Sequence, residues 1–215
     1  MTGLSGLKMD ANIVVLGTDN VGKSALTVRF LTRRFIGEYG DIETIYSHSV
    51  SVDGRELSLN IWDSPYSPQD ITSGGSAAMC EKRLQWADGF VLVYSICDRA
   101  SFNMVARLVQ SIKAAKGDFL GQEKMPIAIV GNKRDLHHRR TVMAEEGRLL
   151  ALASDCQFYE VSAAENYHGV LMVFHGLVGH VRESRRRSAA VKKAGIKGIV
   201  KSMSAVFARR RTDSL

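Results

Sequence analysis

Apolar runs of strand length alternate along the chain with longer stretches in which apolar residues recur at helical spacing. The runs predict strands near 11–17, 45–52, 56–62, 89–95, 126–131 and 157–161, and the spaced stretches predict helices near 23–33, 99–117, 143–155 and 168–181. Asp53-Gly54 is typical of a hairpin turn between the second and third strands, and Asp98 suits the start of the second helix as a cap. The alternation predicts an α/β fold: a mostly parallel six-stranded sheet with one antiparallel strand pair and helices on both faces.

The first predicted strand leads into a glycine-containing loop. Gly17, Gly22, Lys23 and Ser24 fit the spacing G-x-x-x-x-G-K-[ST], and a helical pattern begins directly after them. In such a loop the glycines let backbone N–H groups close around a phosphate, the Lys supplies positive charge and the Ser hydroxyl reaches a magnesium ion. The N-terminus of the following helix adds partial positive charge at the same place. The loop therefore predicts a phosphate site; the alternative is a glycine-rich turn without function.

A second motif follows the fifth predicted strand. Asn132, Lys133 and Asp135 form an Asn-Lys-x-Asp sequence at the carboxyl end of that strand, which is where open parallel sheets bind ligands. A carboxylate such as Asp135 only accepts hydrogen bonds, so it suits guanine, which presents two adjacent donors, whereas adenine would place an acceptor against it. Together the two motifs predict a guanine-nucleotide site; the alternative for the second is a polar turn after a strand.

With these motifs the sequence resembles the Ras superfamily of small GTP-binding proteins, which have a P-loop NTPase fold, over residues 11 to about 181. Residues 24–39 and Trp86-Ala-Asp-Gly-Phe90 are similar to its Ras-related and oestrogen-regulated growth inhibitor branch. The resemblance implies GTP or GDP with Mg²⁺ as cofactors, and it places Ser24 and, through a water, Asp63 on the metal side. It also implies three parts, namely an N-terminal extension (1–10), a Ras-like GTP-binding domain (11–181) and a basic C-terminal tail (182–215). The implied nucleotide contacts are Gly17, Asp19, Asn20, Val21, Gly22, Lys23, Ser24, Ala25, Phe35 as a ring against the base, Asn132, Lys133, Asp135, Ser162, Ala163 and Ala164.

The segment that positions water in the family is altered in this chain. The family carries Asp-Thr-Ala-Gly-Gln there, and its Gln orients the attacking water. This chain reads Asp63-Ser-Pro-Tyr66-Ser67, so Ser67 stands at the usual Gln position and Tyr66 replaces a Gly. A side chain in place of that Gly restricts the backbone turn that approaches the terminal phosphate. We therefore assign no catalytic residue and expect slow or absent intrinsic hydrolysis.

Two further departures concern the phosphate end of the site. The first switch, residues 39–43, is one residue shorter than in the family and lacks the metal-binding Thr; Asp41 and Thr44 are the residues that could replace it. Asp19 and Asn20 stand where Ras has glycines, and they crowd the place where an activating protein inserts an arginine. The sequence predicts a signalling switch with protein effectors and regulators; the alternative is a pseudo-GTPase that recruits a partner without productive GTP turnover.

Positive charge is concentrated at the C-terminal end. The 215 residues carry a net charge of +7, whereas residues 182–215 alone contain 11 Lys or Arg and two acidic residues. Basic clusters there bracket apolar residues, a pattern open to a basic amphipathic helix, although Gly195 and Gly198 each weaken a helix by about 1 kcal/mol. Three interpretations stay open: contact with an anionic membrane surface, a patch for nuclear import factors or nucleic acid, and a disordered solubilising tail.

The remaining features bound the class of protein. A hydrophobic content of 45% can fill the core of one domain. No apolar run approaches membrane-spanning length, and we expect neither a signal peptide nor a lipid anchor, since no Cys-a-a-X box and no Met-Gly start is present. Cys80, Cys97 and Cys156 lack metal-like spacing and are expected to be reduced thiols. We expect a soluble, cytoplasmic monomer that the tail can bring to the nucleus or to a membrane surface.

Overall fold

The computed structural model describes residues 9–36, 43–52, 54–65, 77–116 and 124–210. The chain divides after Val181 into two compact units, and each is described by itself. Of the residues that the sequence singles out, Asp41, Asp53, Tyr66 and Ser67 lie outside the described residues.

The described part of the first unit contains one six-stranded sheet with the strand order β2-β3-β1-β4-β5-β6. Strands β2 and β3 pair antiparallel, and every other neighbouring pair is parallel. The strands are β1 (Met9–Leu16), β2 (Thr44–Val52), β3 (Arg55–Asp63), β4 (Gly89–Ser95), β5 (Ile127–Asn132) and β6 (Gln157–Glu160). The helices are α1 (Lys23–Thr32), α2 (Ala77–Trp86), α3 (Arg99–Lys116), α4 (Ala144–Ala153) and α5 (Tyr167–Arg210), with a short 3₁₀ helix at Arg134–Arg139. The predicted α/β fold is confirmed.

Alternation along the central strands builds a core on each face of the sheet. In β1, Ile13 and Val15 belong to the cluster that contains Leu26 of α1 and Phe174 of α5. Val14 and Leu16, in contrast, belong to the cluster packed with α3. Because successive side chains of a strand point to opposite faces, a strand covered on both sides must be apolar throughout. All residues of β4 and β5 are buried accordingly.

Local signals in the sequence account for several element ends. The Asp98 carboxylate accepts a hydrogen bond from the Ala100 backbone N–H at 2.9 Å, as expected of a helix cap. Val52 pairs with Arg55 across β2 and β3, so two residues connect these strands, and one of them, Gly54, has a φ of 70°. Such a left-handed conformation is typical of a tight hairpin turn.

The helices differ from the predicted ones in three places, of which the first is the short 3₁₀ helix at Arg134–Arg139, which was not predicted. Helix α2 was not predicted, although it consists largely of strong helix formers. Helix α5 was predicted to end at 181 but continues to Arg210. Beyond Val181 the sequence has no proline and is rich in Ala, Lys and Arg, so only Gly195 and Gly198 oppose helix formation there. No described helix has both the length and the apolar character needed to cross a membrane.

Candidate nucleotide-binding site

The loop between β1 and α1 is shaped by two glycines that cannot be replaced without displacement. Gly17 has a φ of 153°, and a Cβ there would lie 2.2 Å from the Val93 carbonyl oxygen of β4. Gly22 has a φ of 93° and is the N-cap residue of α1; a Cβ there would lie 2.4 Å from Nδ2 of Asn132. The loop therefore lies against the carboxyl ends of β4 and β5, and close approach of its backbone is what the glycines permit.

The Lys23 side chain folds back over this loop. It is only 8% exposed, and its Nζ donates a hydrogen bond to the Thr18 carbonyl oxygen at 3.0 Å. The Asp19 carboxylate, which is largely exposed, lies 4.0 Å from the same nitrogen. The loop thus places the buried ammonium group of Lys23 next to the carboxylate of Asp19, so the positive charge that attracts an anion to Lys23 is partly offset by Asp19.

Ser24 and Asp63 form a small group of oxygen donors beside Lys23. Asp63 is the last residue of β3, lies beside Val15 of β1 in the parallel ladder, and is 4% exposed. Burial raises the pKa of Asp63 above its ordinary value, whereas a hydrogen bond from the Ser24 side chain and the charge of Lys23 oppose that shift. A buried carboxylate next to a hydroxyl is the donor chemistry that a hard cation such as Mg²⁺ prefers. The residues present therefore fit the implied metal.

Thr44, one of the two residues considered as a substitute for the missing switch Thr, begins β2. It lies directly opposite Asp63 in the antiparallel ladder. Residues directly opposite each other in such a ladder have their Cβ atoms about 4.5–5.5 Å apart. Of the two substitutes for the missing Thr, Thr44 is therefore the one with a described position, and that position is beside Asp63.

The base-recognition motif is organised around the buried side chain of Asn132. Its Nδ2 donates to the Val21 carbonyl oxygen at 2.9 Å, and its Oδ1 accepts from the Ala163 backbone N–H at 3.1 Å. Asn132 is 2% exposed and ends β5, and Lys133 follows with a left-handed φ of 65°. One side chain therefore joins the phosphate loop, the end of β5 and the segment after β6.

Asp135 is held by a hydroxyl from that same segment after β6. The Ser162 Oγ donates to Asp135 Oδ1 at 2.7 Å and accepts from the Glu165 backbone N–H at 3.1 Å. In addition, the Arg134 backbone N–H donates to the Val161 carbonyl oxygen at 3.1 Å. A carboxylate with one oxygen bonded in this way is fixed in orientation and still has lone pairs to accept further donors.

Residues 12–183 match the Ras family. The chain belongs to the Ras family. It is 39% identical over 204 residues to the bovine (Bos taurus) Ras-related and estrogen-regulated growth inhibitor-like protein, and this alignment covers 94% of this chain and 98% of the relative. The corresponding human (Homo sapiens) protein is 39% identical over 87% of this chain and 90% of its own. Ras-like protein family member 11A of Rattus norvegicus is 42% identical over 88% of this chain and 78% of its own. The resemblance to the growth-inhibitor branch is confirmed.

The described residues of this Ras-family chain bring together most of the predicted site. The phosphate loop, the Asn132 motif and the Ser162 segment meet at one edge of the sheet, with Ala25 and Ala163 buried and Ala164 partly exposed. Asn20 has a left-handed φ of 61° and an exposed side chain. Phe35 follows the end of α1 and is 45% exposed, so its contact with a base stays a prediction.

Sequence reasoning missed how the Ras-family site is held together. Asn132 was assigned to guanine, which stays a prediction, but each polar atom of its side chain also makes a bond within the protein that was not foreseen. The bond to Val21 joins residues 111 positions apart, so no local spacing reveals it. The one available signal was the motif itself, in which Asn stands at a strand end where a buried polar side chain must find partners.

Proposed function

We propose that this chain binds GTP and GDP with Mg²⁺ and acts as a Ras-like signalling switch whose intrinsic hydrolysis is slow. The observation that carries the proposal is the side chain of Asn132, which links the phosphate loop to the segment after β6. A purine with a phosphate chain requires that its two ends be recognised at a fixed separation. Residues 11–181 would form the nucleotide-binding domain, and residues 182–215 would form a separate tail.

Base selection in this proposal belongs to Asp135. Its carboxylate accepts hydrogen bonds only, and guanine offers two adjacent donors on its N1 and N2 edge. The bond from Ser162 fixes the orientation of the carboxylate before the nucleotide arrives, so little conformational freedom is lost on binding. The orientation of Asp135 supports a preference for guanine over adenine.

Phosphate binding in this proposal belongs to Lys23, Ser24 and the backbone of the loop. Lys23 would exchange its bond to the Thr18 carbonyl for a phosphate oxygen, and Ser24 would turn its hydroxyl from Asp63 toward the metal side. Mg²⁺, when bound, supplies positive charge that neutralises the phosphates. That charge also offsets the burial of Asp63, whose raised pKa marks a carboxylate without full compensation.

Slow hydrolysis is inferred from the residues at the water-positioning segment. Hydrolysis needs an oriented water and stabilised phosphate charge, and Ser67 is too short to replace the Gln that orients the water in the family. The Asp19 carboxylate beside Lys23 further reduces the positive charge available to the phosphates. If turnover is absent altogether, the second candidate function applies: a nucleotide-loaded pseudo-GTPase that recruits a partner.

A nucleotide-selection experiment tests the binding half of the proposal. Protein stripped with EDTA and offered GTP, ATP or XTP with Mg²⁺ should retain GTP, as identified by chromatography. Asp135→Asn should shift retention from GTP toward XTP, because xanthine replaces one of the two donors with an acceptor and the amide supplies a donor. Asp155→Asn is the matched control, since Asp155 pairs with Lys124 at 2.6 Å on an exposed surface away from the site. If the wild-type protein retains none of the three nucleotides, or prefers ATP or XTP to GTP, the proposal is refuted.

A single-turnover assay tests the hydrolysis half. Ras itself hydrolyses GTP at a rate on the order of 10⁻⁴ s⁻¹, and we expect this chain to be slower by about tenfold or more. The double variant Tyr66→Gly with Ser67→Gln should raise the rate by restoring the family residues. A wild-type rate equal to that of Ras overturns slow hydrolysis but leaves nucleotide binding intact. A rate below detection that the double variant does not rescue favours the pseudo-GTPase.

A further inference from the structure

The basic tail has a helical backbone. Helix α5 continues through the second unit from Arg182 to Arg210. This part of the helix contains ten Lys or Arg residues and a single acidic residue, Glu183, which pairs with Arg187 at 3.1 Å. From residue 191 to the end of the helix the sequence contains six basic residues and no acidic residue. A helix of this composition has a strongly positive surface.

Apart from Val191, the large apolar residues between positions 182 and 210 share one face of a helix when the sequence is placed at helical spacing. At 3.6 residues per turn, six of them lie within a sector of about 120°. Lys193, Lys197 and Lys201 are spaced four residues apart and follow one edge of this sector. Gly195 and Gly198 lie outside the sector, on its other side. Lys192 and Arg210 share the direction of the sector and bound it at its two ends along the chain. The apolar sector consists of Ile196, Ile199, Val200, Met203, Val206 and Phe207.

We propose that residues 191–210 form an interfacial helix that binds the surface of an anionic lipid bilayer. An apolar sector flanked by lysines combines immersion of apolar residues with attraction to anionic headgroups. The occupant follows from charge complementarity, because six cations without an acid repel one another unless a negative surface lies beside them. The contact is reversible and depends on lipid charge, since a single amphipathic helix without an acyl chain gives limited affinity.

The apolar sector distinguishes this proposal from the other interpretations of the tail. Binding to nucleic acid depends on the number of cations and falls with salt, but it does not require apolar residues at helical spacing. A disordered solubilising tail has low hydrophobicity and no periodic pattern. Here the apolar positions keep the spacing 3, 1, 3, 3, 1 from Ile196 to Phe207. That periodicity is the feature that a bilayer surface selects and that the other partners ignore.

Co-sedimentation of the full chain with phosphatidylcholine vesicles, with and without phosphatidylserine, tests the proposal. Binding should require phosphatidylserine and weaken as salt is raised. The triple variant Lys193→Gln, Lys197→Gln and Lys201→Gln should reduce partitioning by about 100-fold, since each cation near the surface contributes about fivefold. The pair Ile199→Ser and Met203→Ser should reduce it by about tenfold per residue, because apolar carbons leave the interface. The control pair Ala194→Ser and Ala205→Ser lies on the opposite face and leaves the apolar sector intact, so binding should fall only by the few-fold that Ser costs a helix relative to Ala.

A second pair of variants tests whether the helix itself matters. Gly195→Ala and Gly198→Ala remove the two poorest helix formers and should tighten binding by up to about 30-fold together. Two outcomes overturn the proposal: loss of binding with the lysine variant but not with the apolar pair, or binding to duplex DNA that is tighter than to vesicles and insensitive to the apolar pair. The thermal midpoint of the first unit, followed by the fluorescence of Trp62 and Trp86, checks that each variant is folded.

Discussion

Replacing Gly22 with Ala tests whether the two halves of the site are joined through Asn132. Gly22 has a φ of 93°, and its Cβ would lie 2.4 Å from Asn132 Nδ2, a contact that the protein must relieve by moving one of the two residues. The chain offers a matched control in Gly54, which has a φ of 70° and no atom within 4 Å of its Cβ position. Both substitutions force an Ala into left-handed backbone, but only Gly22→Ala also disturbs a neighbour.

The expected costs follow from the contacts. Left-handed backbone costs an L-residue about 1–2 kcal/mol, and this is the whole expected effect of Gly54→Ala. Displacing Asn132 additionally breaks its bonds to the Val21 carbonyl at 2.9 Å and from the Ala163 N–H at 3.1 Å. A buried polar group left without a partner costs about 1–3 kcal/mol. With two such groups and the backbone term, Gly22→Ala should therefore cost about 3–8 kcal/mol, a large part of the roughly 5–15 kcal/mol that stabilises a typical domain.

Urea unfolding of the nucleotide-free chain, followed by the fluorescence of Trp62 and Trp86 in the first unit, measures both costs. The same glycine substitution made in an Asn132→Ala background isolates the coupling between the two residues. There, Gly22→Ala should cost no more than Gly54→Ala, because the side chain that blocks the new Cβ is gone. Equal costs for the two glycines in the wild-type background, or additive effects of Gly22→Ala and Asn132→Ala, would show that Asn132 does not join the two segments.

Three further predictions concern charge. Arg140→Met should lower the free energy of unfolding in urea by about 2–3 kcal/mol, because Arg140 makes two bonds of 2.9 and 2.6 Å to the mostly buried Glu160. Lys124→Met, which breaks the exposed pair of Lys124 with Asp155, should lower it by less than about 1 kcal/mol. Equal costs for the two variants would contradict this prediction. Hydrogen bonds to Glu146, chiefly from the Arg99 side chain and then from the Met143 backbone N–H, lower the pKa of Glu146 from 4.5 to about 2. The stability that the ionised Glu146 contributes is therefore complete above pH 4.5 and is lost as the pH falls through about 2. In Glu146→Gln the free energy of unfolding should depend less on pH between these values, and an unchanged pH dependence would disprove the assignment. Asp63→Asn should raise the thermal midpoint of the nucleotide-free protein at neutral pH, and the difference from wild type should shrink as acid protonates the wild-type carboxyl. The same variant should weaken the Mg²⁺-dependent retention of GTP. A lower midpoint at neutral pH would show that the cost of burial does not dominate at Asp63.

The fold could be predicted from the sequence because its strongest signals are local. The buried strand β4 is an unbroken apolar run, and its predicted bounds, 89–95, agree with the structure. The conformation of the loop before α1 is also visible in the sequence, since Gly17 and Gly22 stand at positions whose backbone angles few other residues adopt. Helix α5 shows a limit of these signals: its end was predicted at 181 and the tail was left open between a helix and disorder, whereas the helix formers there outweigh Gly195 and Gly198.

The candidate site was predictable in its parts but not in its connections. The sequence indicates Asp135 and Ser162 separately, yet the bond between them depends on β5 and β6 lying side by side, which strand order alone decides. The burial of Asp63 likewise depends on β3 pairing with β1. The raised pKa that follows from this burial cannot be seen in the residues next to Asp63 in the sequence. Such long-range contacts are set by topology, so residue spacing cannot reveal them.

The two ends of the proposed site differ in how far they are organised without a ligand. At the base end, Asn132 and Asp135 already have hydrogen-bond partners, so nucleotide binding adds contacts without rearranging the protein. At the phosphate end, Lys23 is bonded to its own loop and Asp63 is buried with its charge poorly compensated, so binding there must change existing contacts. Removing Mg²⁺ should therefore speed nucleotide release more than weakening a base contact does. In the proposed function, Tyr66 and Ser67 concern the water-positioning segment alone, so we expect slow hydrolysis together with retention of the nucleotide.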